Sequence, residues 1–535
     1  MRRWNGWSEE GADAPIPERA RDLLTALVGP GAPTPDAALE DVVRTVAATR
    51  LDEHVLWSTD PRSRLLHARG QSLPDWIALR SGRIPRVPDA VARPTDAASV
   101  RAVLDAARAA GAAVIPYGGG TSVVGGVTPP DGDRPVVSVD LAGTAGLHAL
   151  DETSGLATFG AGTIGPDLEA ALAPSGRTLG HYPQSFERST VGGWVVTRSA
   201  GQESTGYGRI EALFAGGHLE TPSGPLDLPT HPASAAGPDL RQLVLGSEGR
   251  LGILTDVVVR TTPIPQAVRT NAFVLRDWES ALALARTLAQ QRLPLSMVRV
   301  ATPLETATTL ALVGEGRGAT ILRRYLGLRG AGADRERCLV LVGLSGRTAV
   351  VDAAAGEVAR AVRDARGIGT PGVGKAWRRD RFRAPDLRDA LWAAGYAVDT
   401  LETATDWTTL PDLAATLGRT LRHGLDDIGE RVHAFSHLSH VYPTGSSLYT
   451  TYLFRLAADP DETLARWRRL KRAASEVIVA HGATITHQHG IGTDHAPYLA
   501  AEKGPLGMAA LGAVVRRLDP DGLMLPGVLL AEDVL

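Results

Sequence analysis

Apolar positions along the chain switch between two periods. From Asp96 to Gly111, Val100, Val103, Leu104 and Ala107 recur at helical spacing, so this stretch predicts one amphipathic helix. Thr95 or Asp96 can cap its start and Gly111 can end it. Short apolar runs of strand length follow at 112–115, 135–141, 155–159 and 251–260, and Thr262-Pro-Ile-Pro265 stops the last of them. Beyond those prolines the texture changes. Strands are predicted at 298–300, 338–342 and 448–454, and helices at 281–290 and 350–366. A last helix opens at Pro460, closes at Gly482 and carries Leu464, Trp467, Ala474, Val477 and Ile478 on one face. Ahead of all this, residues 1–85 are rich in Ala, Pro and charge, with a helical piece at 36–51. The expectation is an α+β chain in four parts: an N-terminal extension (1–85), a first domain (86–265), a cap domain with an antiparallel sheet (266–455) and a C-terminal helical segment (456–535).

Composition narrows the function classes. A length of 535 residues exceeds one compact core, and 44% hydrophobic with 21% charged residues is ordinary for globular domains. The formal net charge of −3 makes no electrostatic case for nucleic acid. The basic run at 375–383 is interleaved with Trp377 and Phe382, and reads as solvated or substrate-facing. Cys338 is the only cysteine, which excludes an internal disulfide and a CxxC centre; within an apolar strand it reads as a small core residue. The start, Met-Arg-Arg-Trp-Asn-Gly-Trp7, is basic without a following apolar run, and no stretch has the ~18 apolar residues of a membrane span. The end, Ala-Glu-Asp-Val-Leu535, is not a peroxisomal tripeptide. A cytoplasmic protein is expected.

Three glycine-rich segments carry the first chemistry: Gly118–Gly120, Gly192–Gly193 and Gly246–Gly252, each mixed with Ser or Thr. Glycine lets backbone approach a ligand, and successive N–H groups can then cradle a pyrophosphate. A dinucleotide fingerprint is excluded, because Val123 stands where its third glycine belongs. Residues 369–375 nearly form a P-loop, but Ala376 replaces the hydroxyl that would hold Mg²⁺. The second feature is His487-Gln-His489-Gly-Ile-Gly492, directly after the last predicted helix. Paired histidines beside a glycine turn suit proton handling. His433, His437 or His440 could join them around a metal, but no acidic ligand flanks the pair, so no metal is expected.

Trp4-Asn-Gly-Trp7, the 69–83 stretch and Tyr207-Gly-Arg-Ile-Glu211 together resemble the alkyldihydroxyacetone-phosphate synthases of the vanillyl-alcohol oxidase, or PCMH-type, FAD-binding flavoproteins. Pro116, Tyr117, Gly118, Gly119, Gly120, Thr121 and Ser122 are similar to that family's first pyrophosphate loop. Gln184, Ser185, Ser189, Thr190, Gly192 and Gly193, then Thr197, Arg198, Ser199 and Ala200, resemble its next two FAD segments. Gly246, Ser247, Glu248, Gly249, Leu251 and Gly252 resemble the fourth. The resemblance implies a two-domain PCMH-type fold and FAD as cofactor. Covalently linked members often have His where Thr121 stands, so noncovalent FAD is implied.

By the same resemblance Tyr449 falls on a proton-transfer tyrosine, His487 and His489 on the outer members of a three-histidine loop, Arg299 on an arginine needed for activity and Arg388 on a substrate-binding arginine. Gln488 replaces the middle histidine, and Leu525-Pro-Gly527 lacks the polar residues of the family's closing segment. Tyr ionises near pH ~10, so a neighbouring cation such as Arg388 would be needed to lower it. The implied activity exchanges the acyl chain of acyl-dihydroxyacetone phosphate for a fatty alcohol, with the flavin N5 as nucleophile and no net redox. The alternative is an FAD-dependent oxidase or dehydrogenase of a small hydroxy acid, of D-lactate or glycolate type, or of an alcohol. A flavoprotein that only binds is a third reading. An apolar tunnel in the cap would favour the lipid reading. The expected partner is a small-molecule or lipid-like substrate and not nucleic acid; a peripheral membrane contact and a homodimer stay open.

Overall fold

The computed structural model describes residues 3–10, 16–312, 324–327, 329 and 336–530. The first two residues and the 531–535 tail, both read above for targeting, lie outside the described residues. No helix among the described residues is long and apolar enough to cross a membrane.

The strongest periodic signal forms as expected. Helix Ala97–Ala109 is capped by Asp96, whose carboxylate accepts from Ser99 N at 2.7 Å while the Ser99 hydroxyl accepts from Asp96 N at 3.1 Å. Val100, Val103, Leu104 and Ala107 are its buried face, and Gly111 turns the chain at φ 65°. The helix is a crossover. Strands Ala90–Ala92 and Ala113–Tyr117 both pair in parallel with Val136–Asp140, and parallel neighbours need such a connection. Trp57–Ser58 completes this four-stranded sheet at its edge. Gly118 therefore leaves the carboxyl end of a parallel strand, where ligands meet α/β layers. A five-stranded antiparallel sheet, ordered Leu147–Asp151, Leu156–Gly160, Ile253–Arg260, Phe214–Thr221 and Gly224–Leu228, backs it.

The expected antiparallel sheet after residue 265 has seven strands, in the order Ile368–Gly369, Ala267–Leu275, Cys338–Gly346, Leu295–Ala301, His433–Leu438, Gly445–Arg455 and Tyr396–Asp406. Register decides which side chains share a face. Tyr449 stands opposite both His437 and Glu402, so the three form one row across three strands. Helices Trp278–Gln290 and Thr348–Asp364 pack on one half of the sheet, and Leu410–His423 with Pro460–Ala480 on the other.

Several expectations shift. The helix expected at 36–51 shortens to Leu39–Thr45, because Thr49 and Arg50 turn their hydrogen bonds to Asp89: Thr49 Oγ1 reaches its carbonyl at 2.9 Å and Arg50 Nε its carboxylate at 2.8 Å. The first residues are not an appendage. Ile16 and the Ala20, Leu24 and Val28 face of helix Glu18–Val28 pack on Leu391, Tyr396 and Leu453, and Asp389 accepts from Trp7 N and Ser8 N at 3.0 and 2.8 Å. In helix Pro460–Ala480, Leu464 and Val477 are only half-buried, while Arg466 and Lys471 are buried beside Trp467, Ala474 and Ile478. Arg466 pays for that position by pairing with Glu430 at 3.2 Å. The terminal helix Leu499–Leu518 kinks at Gly504, whose φ of 67° precedes Pro505. Cys338 is buried in its strand, and burial pushes its thiol up to about 12, so it is inert.

Candidate active site

The two halves enclose one cavity of about 820 Å³. Its floor is backbone. Pro116, Gly118, Gly119, Gly120, Thr121 and Ser122 line it, followed by Gln184, Ser185, Ser189, Thr190, Gly192, Gly193, Thr197, Ser199 and Ala200, then Glu248, Gly249 and Gly252. Four segments far apart in sequence thus meet at one floor. They can approach because they lack side chains: a Cβ on Gly119 would collide with the Arg188 carbonyl, and one on Gly118 would meet Thr190 Oγ1 at 2.5 Å. Tyr117, Arg198, Gly246, Ser247 and Leu251 do not line the cavity. Tyr117 turns its ring onto His67 at 4.7 Å, Arg198 bonds the Leu245 carbonyl at 3.2 Å and Leu251 is core. The glycine cradle and its hydroxyls fit an elongated pyrophosphate-bearing cofactor such as FAD. Thr121 sits at the cradle, and Cys338 is buried away from it in its strand.

The cap supplies side chains. Arg299, on strand Leu295–Ala301, donates from Nη2 to Glu305 at 2.8 Å; His437 Nδ1 lies 2.9 Å from the other Glu305 oxygen. Burial would raise the Glu305 carboxyl, but His437 and Arg299 together hold it down to about 2. His437 stacks on Tyr449 at 4.9 Å, and Tyr449 meets His489 edge-on at 5.8 Å. All of Arg299, His437, Tyr449 and His489 line the cavity. Arg388, on helix Ala384–Ala393, also lines it. Its guanidinium stacks over Trp76 at 4.3 Å and donates from Nη1 to the Gln71 carbonyl at 2.5 Å, while Nη2 is buried without a hydrogen-bond partner. Next to it the wall turns apolar, with Leu23, Leu24 and Leu27 facing Leu387, Leu391 and Leu453.

Two expectations about protons are corrected. The Tyr449 hydroxyl is not lowered on balance, although it is electrostatically coupled to Arg388 and Arg299 opposes the rise. Burial pushes it up to about 12, and Glu402 and Asp399 add to the rise, so Tyr449 stays protonated at neutral pH. His487 does not line the cavity. Its Nε2 lies 2.8 Å from Arg209 Nη1 and 2.7 Å from Tyr442 Oη, and its Nδ1 faces Glu402 at 3.3 Å. Arginine only donates, so Nε2 accepts and Nδ1 carries the ring proton. Glu402, His440 and His487 offer three buried ligand atoms within 4.8 Å of one another, with His487 Nδ1 and Glu402 Oε2 lacking hydrogen-bond partners and His440 Nε2 4.0 Å from Glu402 Oε1. His489 lines the cavity, and burial holds its imidazole below the usual range.

Sequence reasoning missed Glu402, Glu305 and Tyr442, since no motif surrounds them; only strand register and loop return bring them in, and Arg209, inside the 207–211 segment, was given no role of its own. The basic run at 375–383 is partly a tether, because Arg378, at 2.9 Å, and Arg381 both pair with the buried Glu203, while Trp377 lines the cavity. Gln488 lines the cavity with its Oε1 buried and unpaired.

Residues 88–226 match the FAD binding domain family, and residues 264–529 match the C-terminal domain of FAD linked oxidases. The chain is 28% identical to the alkyldihydroxyacetonephosphate synthase of Dictyostelium discoideum, across 93% of this chain and 88% of that protein. It is 29% identical to the Trypanosoma brucei brucei synthase, across 88% and 78% of the two chains. A solved alkyldihydroxyacetonephosphate synthase structure superposes with a TM-score of 0.82 at 25% identity, covering 98% of both chains. With its glycine cradle and matching domains, the chain is an FAD-dependent enzyme, an alkyldihydroxyacetonephosphate synthase-like member of the PCMH-type flavoproteins.

Proposed function

We propose that the enzyme exchanges the acyl chain of acyl-dihydroxyacetone phosphate for a fatty alcohol on noncovalently held FAD. The observation that carries this reading is Arg388. A guanidinium nitrogen with no partner, on a cavity wall that continues into six leucines, suits a substrate with a phosphate at one end and a hydrocarbon chain at the other. A small hydroxy acid would leave the apolar end unused. FAD, when bound on the glycine floor, supplies the centre at which the chain is exchanged. The protein's own groups do the rest. Arg388 orients the phosphate, and its planar fork can give two parallel bonds to it. Arg299, braced by Glu305, holds positive charge over the same wall. His489 accepts on its imidazole the proton that the incoming alcohol hydroxyl loses, and Tyr449, protonated at neutral pH, donates from Oη to an oxygen of the acyl group, which leaves as the fatty acid. The apolar wall excludes water, which would otherwise compete with the alcohol.

The test uses FAD-loaded protein with acyl-dihydroxyacetone phosphate and radiolabelled hexadecanol. Label appearing in the ketone phosphate product, without net flavin reduction, supports the reading. Anaerobic flavin bleaching by D-lactate or glycolate, with no label transfer, would instead establish the hydroxy-acid oxidase reading. Acid precipitation should release FAD into the supernatant; yellow colour in the pellet would overturn the noncovalent part alone.

A further inference from the structure

Two arginines stack on one indole, and their surroundings differ. Trp76, on helix Leu73–Ser81, is fully buried and does not line the cavity. The Arg80 guanidinium lies 4.9 Å from its ring centroid, and that of Arg388 lies 4.3 Å from it. Arg80 is buried but neutralised: Asp36 accepts from its Nη1 at 2.6 Å, and Asp389 accepts from its Nη2. Asp389 is fixed in turn by Trp7 N and Ser8 N, and a Cβ on Gly6 would collide with its carboxylate. Arg388 is the neighbour of Asp389 on helix Ala384–Ala393, yet it has no carboxylate partner among the described residues. Its Nη1 is occupied by the Gln71 carbonyl, and its Nη2 is buried and unpartnered. Gln71 is held by the same indole, since Trp76 Nε1 donates to Gln71 Oε1 at 2.8 Å.

We propose that Trp76 is a positioning residue for Arg388: its indole face holds the guanidinium at the cavity wall without occupying the N–H groups that bind phosphate, and Arg80 and Asp389 fix that platform. The proposal rests on the reading of Arg388 as the phosphate ligand. A guanidinium taken out of water without a counter-ion is costly. A carboxylate beside it would relieve the cost, but would take the fork that the phosphate needs. The face of an indole attracts a cation through its quadrupole and accepts no conventional hydrogen bond, so the fork stays open. Arg80 shows the other arrangement on the same ring: with two carboxylates it is saturated and serves to hold Trp76. Asp389 joins the two halves of the device. It anchors Arg80 and the 3–8 segment, and it belongs to the helix that carries Arg388.

The experiment measures kcat and KM of FAD-loaded protein with acyl-dihydroxyacetone phosphate, and calorimetric binding of dihydroxyacetone phosphate as a readout free of turnover. Trp76→Leu should raise KM and weaken dihydroxyacetone phosphate by about tenfold, with kcat and flavin content unchanged. Trp76→Phe keeps an aromatic face and should recover most of that loss. In an Arg388→Met background neither substitution should weaken binding further, because the cation through which they act is gone. Equal weakening by the two Trp76 substitutions, or the same weakening in the Arg388→Met background, would make Trp76 a matter of packing and overturn the proposal. The reading of Arg388 fails separately, if Arg388→Met leaves dihydroxyacetone phosphate binding intact. Should Trp76→Leu fail to fold, Trp76→Phe decides. Phenylalanine attracts a cation less than indole does, so a loss of about two- to threefold that vanishes in the Arg388→Met background is expected. No loss, or a loss that persists there, overturns the proposal.

Discussion

The flavin floor and the cap wall of the cavity are built by different means. The floor is backbone, held close by glycines at which an added carbon has nowhere to go. The wall is side chains: Arg299, Arg388, His437, Tyr449 and His489 come from separate elements and are coupled through Glu305 and Glu402. A backbone cradle is a matter of space, so its chemistry is all or none at each position. A side-chain wall can be edited atom by atom, but each edit changes the charges felt by its neighbours.

Removing one oxygen from the wall should have the largest effect. Tyr449→Phe should lower the chemical step by roughly 10²–10⁴-fold, the range for a general acid or base, with FAD content unchanged. Near-normal turnover in a single-turnover assay would take Tyr449 out of the reaction. His489→Ala should behave alike, and the double variant should lose little more than either single one, because groups that act as a unit fail together.

Arg388→Lys keeps the charge and loses the fork. The loss of a charge-assisted bond, about 1.5–3 kcal/mol, corresponds to roughly 10–150-fold in kcat/KM for the phosphate substrate. Equal loss on a substrate lacking phosphate would show that Arg388 holds Trp76 and Gln71 rather than substrate.

The floor should answer to space alone. Gly119→Ala sets a methyl group against the Arg188 carbonyl, and overpacking of about 1–3 kcal/mol corresponds to roughly 5–150-fold weaker FAD binding. Flavin titration measures it, and circular dichroism should stay the same. Undiminished FAD affinity would mean that the floor yields, and that the contrast with the wall is drawn wrongly.

The smallest effect joins the two regions. Glu248, from the floor, accepts from Ile491 N and Gly492 N at 2.5 and 2.7 Å, just beyond His489, and burial pushes its carboxyl up to about 7. The native state then binds more protons than the unfolded chain between about pH 4.5 and 7, so this group's contribution to stability falls as pH rises through that window. Glu248→Gln removes the slope. Melting temperatures of the two proteins should diverge by a few degrees across the window, with the natural protein relatively better at the acidic end. A constant difference would show that Glu248 is ionised throughout.

Much of this was readable early. The glycine segments, helix Ala97–Ala109, the antiparallel cap and the pairing of Tyr449 with the 487–492 loop all have local or motif-level signals. The rest had none. Nothing near Glu402 marks it as the carboxylate behind three histidines; that follows from Tyr396–Asp406 lying beside Gly445–Arg455 in a particular register. The shortened helix at Leu39–Thr45 is similar, since Asp89, some forty residues on, takes the hydrogen bonds that a longer helix would need.

Sequence by itself determined where backbone must bend and approach, because glycine and its spacing are local properties, and it determined the buried face of helix Ala97–Ala109, because period is local too. It also determined the inventory of titratable groups. Which of them ionise, and which touch the cavity, was decided only by the tertiary structure. The Tyr449 hydroxyl is pushed up rather than down because the fold buries it away from water and sets Glu402 and Asp399 beside it. His487 and His489 differ by two positions, yet one is locked between Arg209 and Glu402 and the other faces the cavity. Proton affinity depends on desolvation and on charges a few ångströms away, and those distances exist only once the strands have paired.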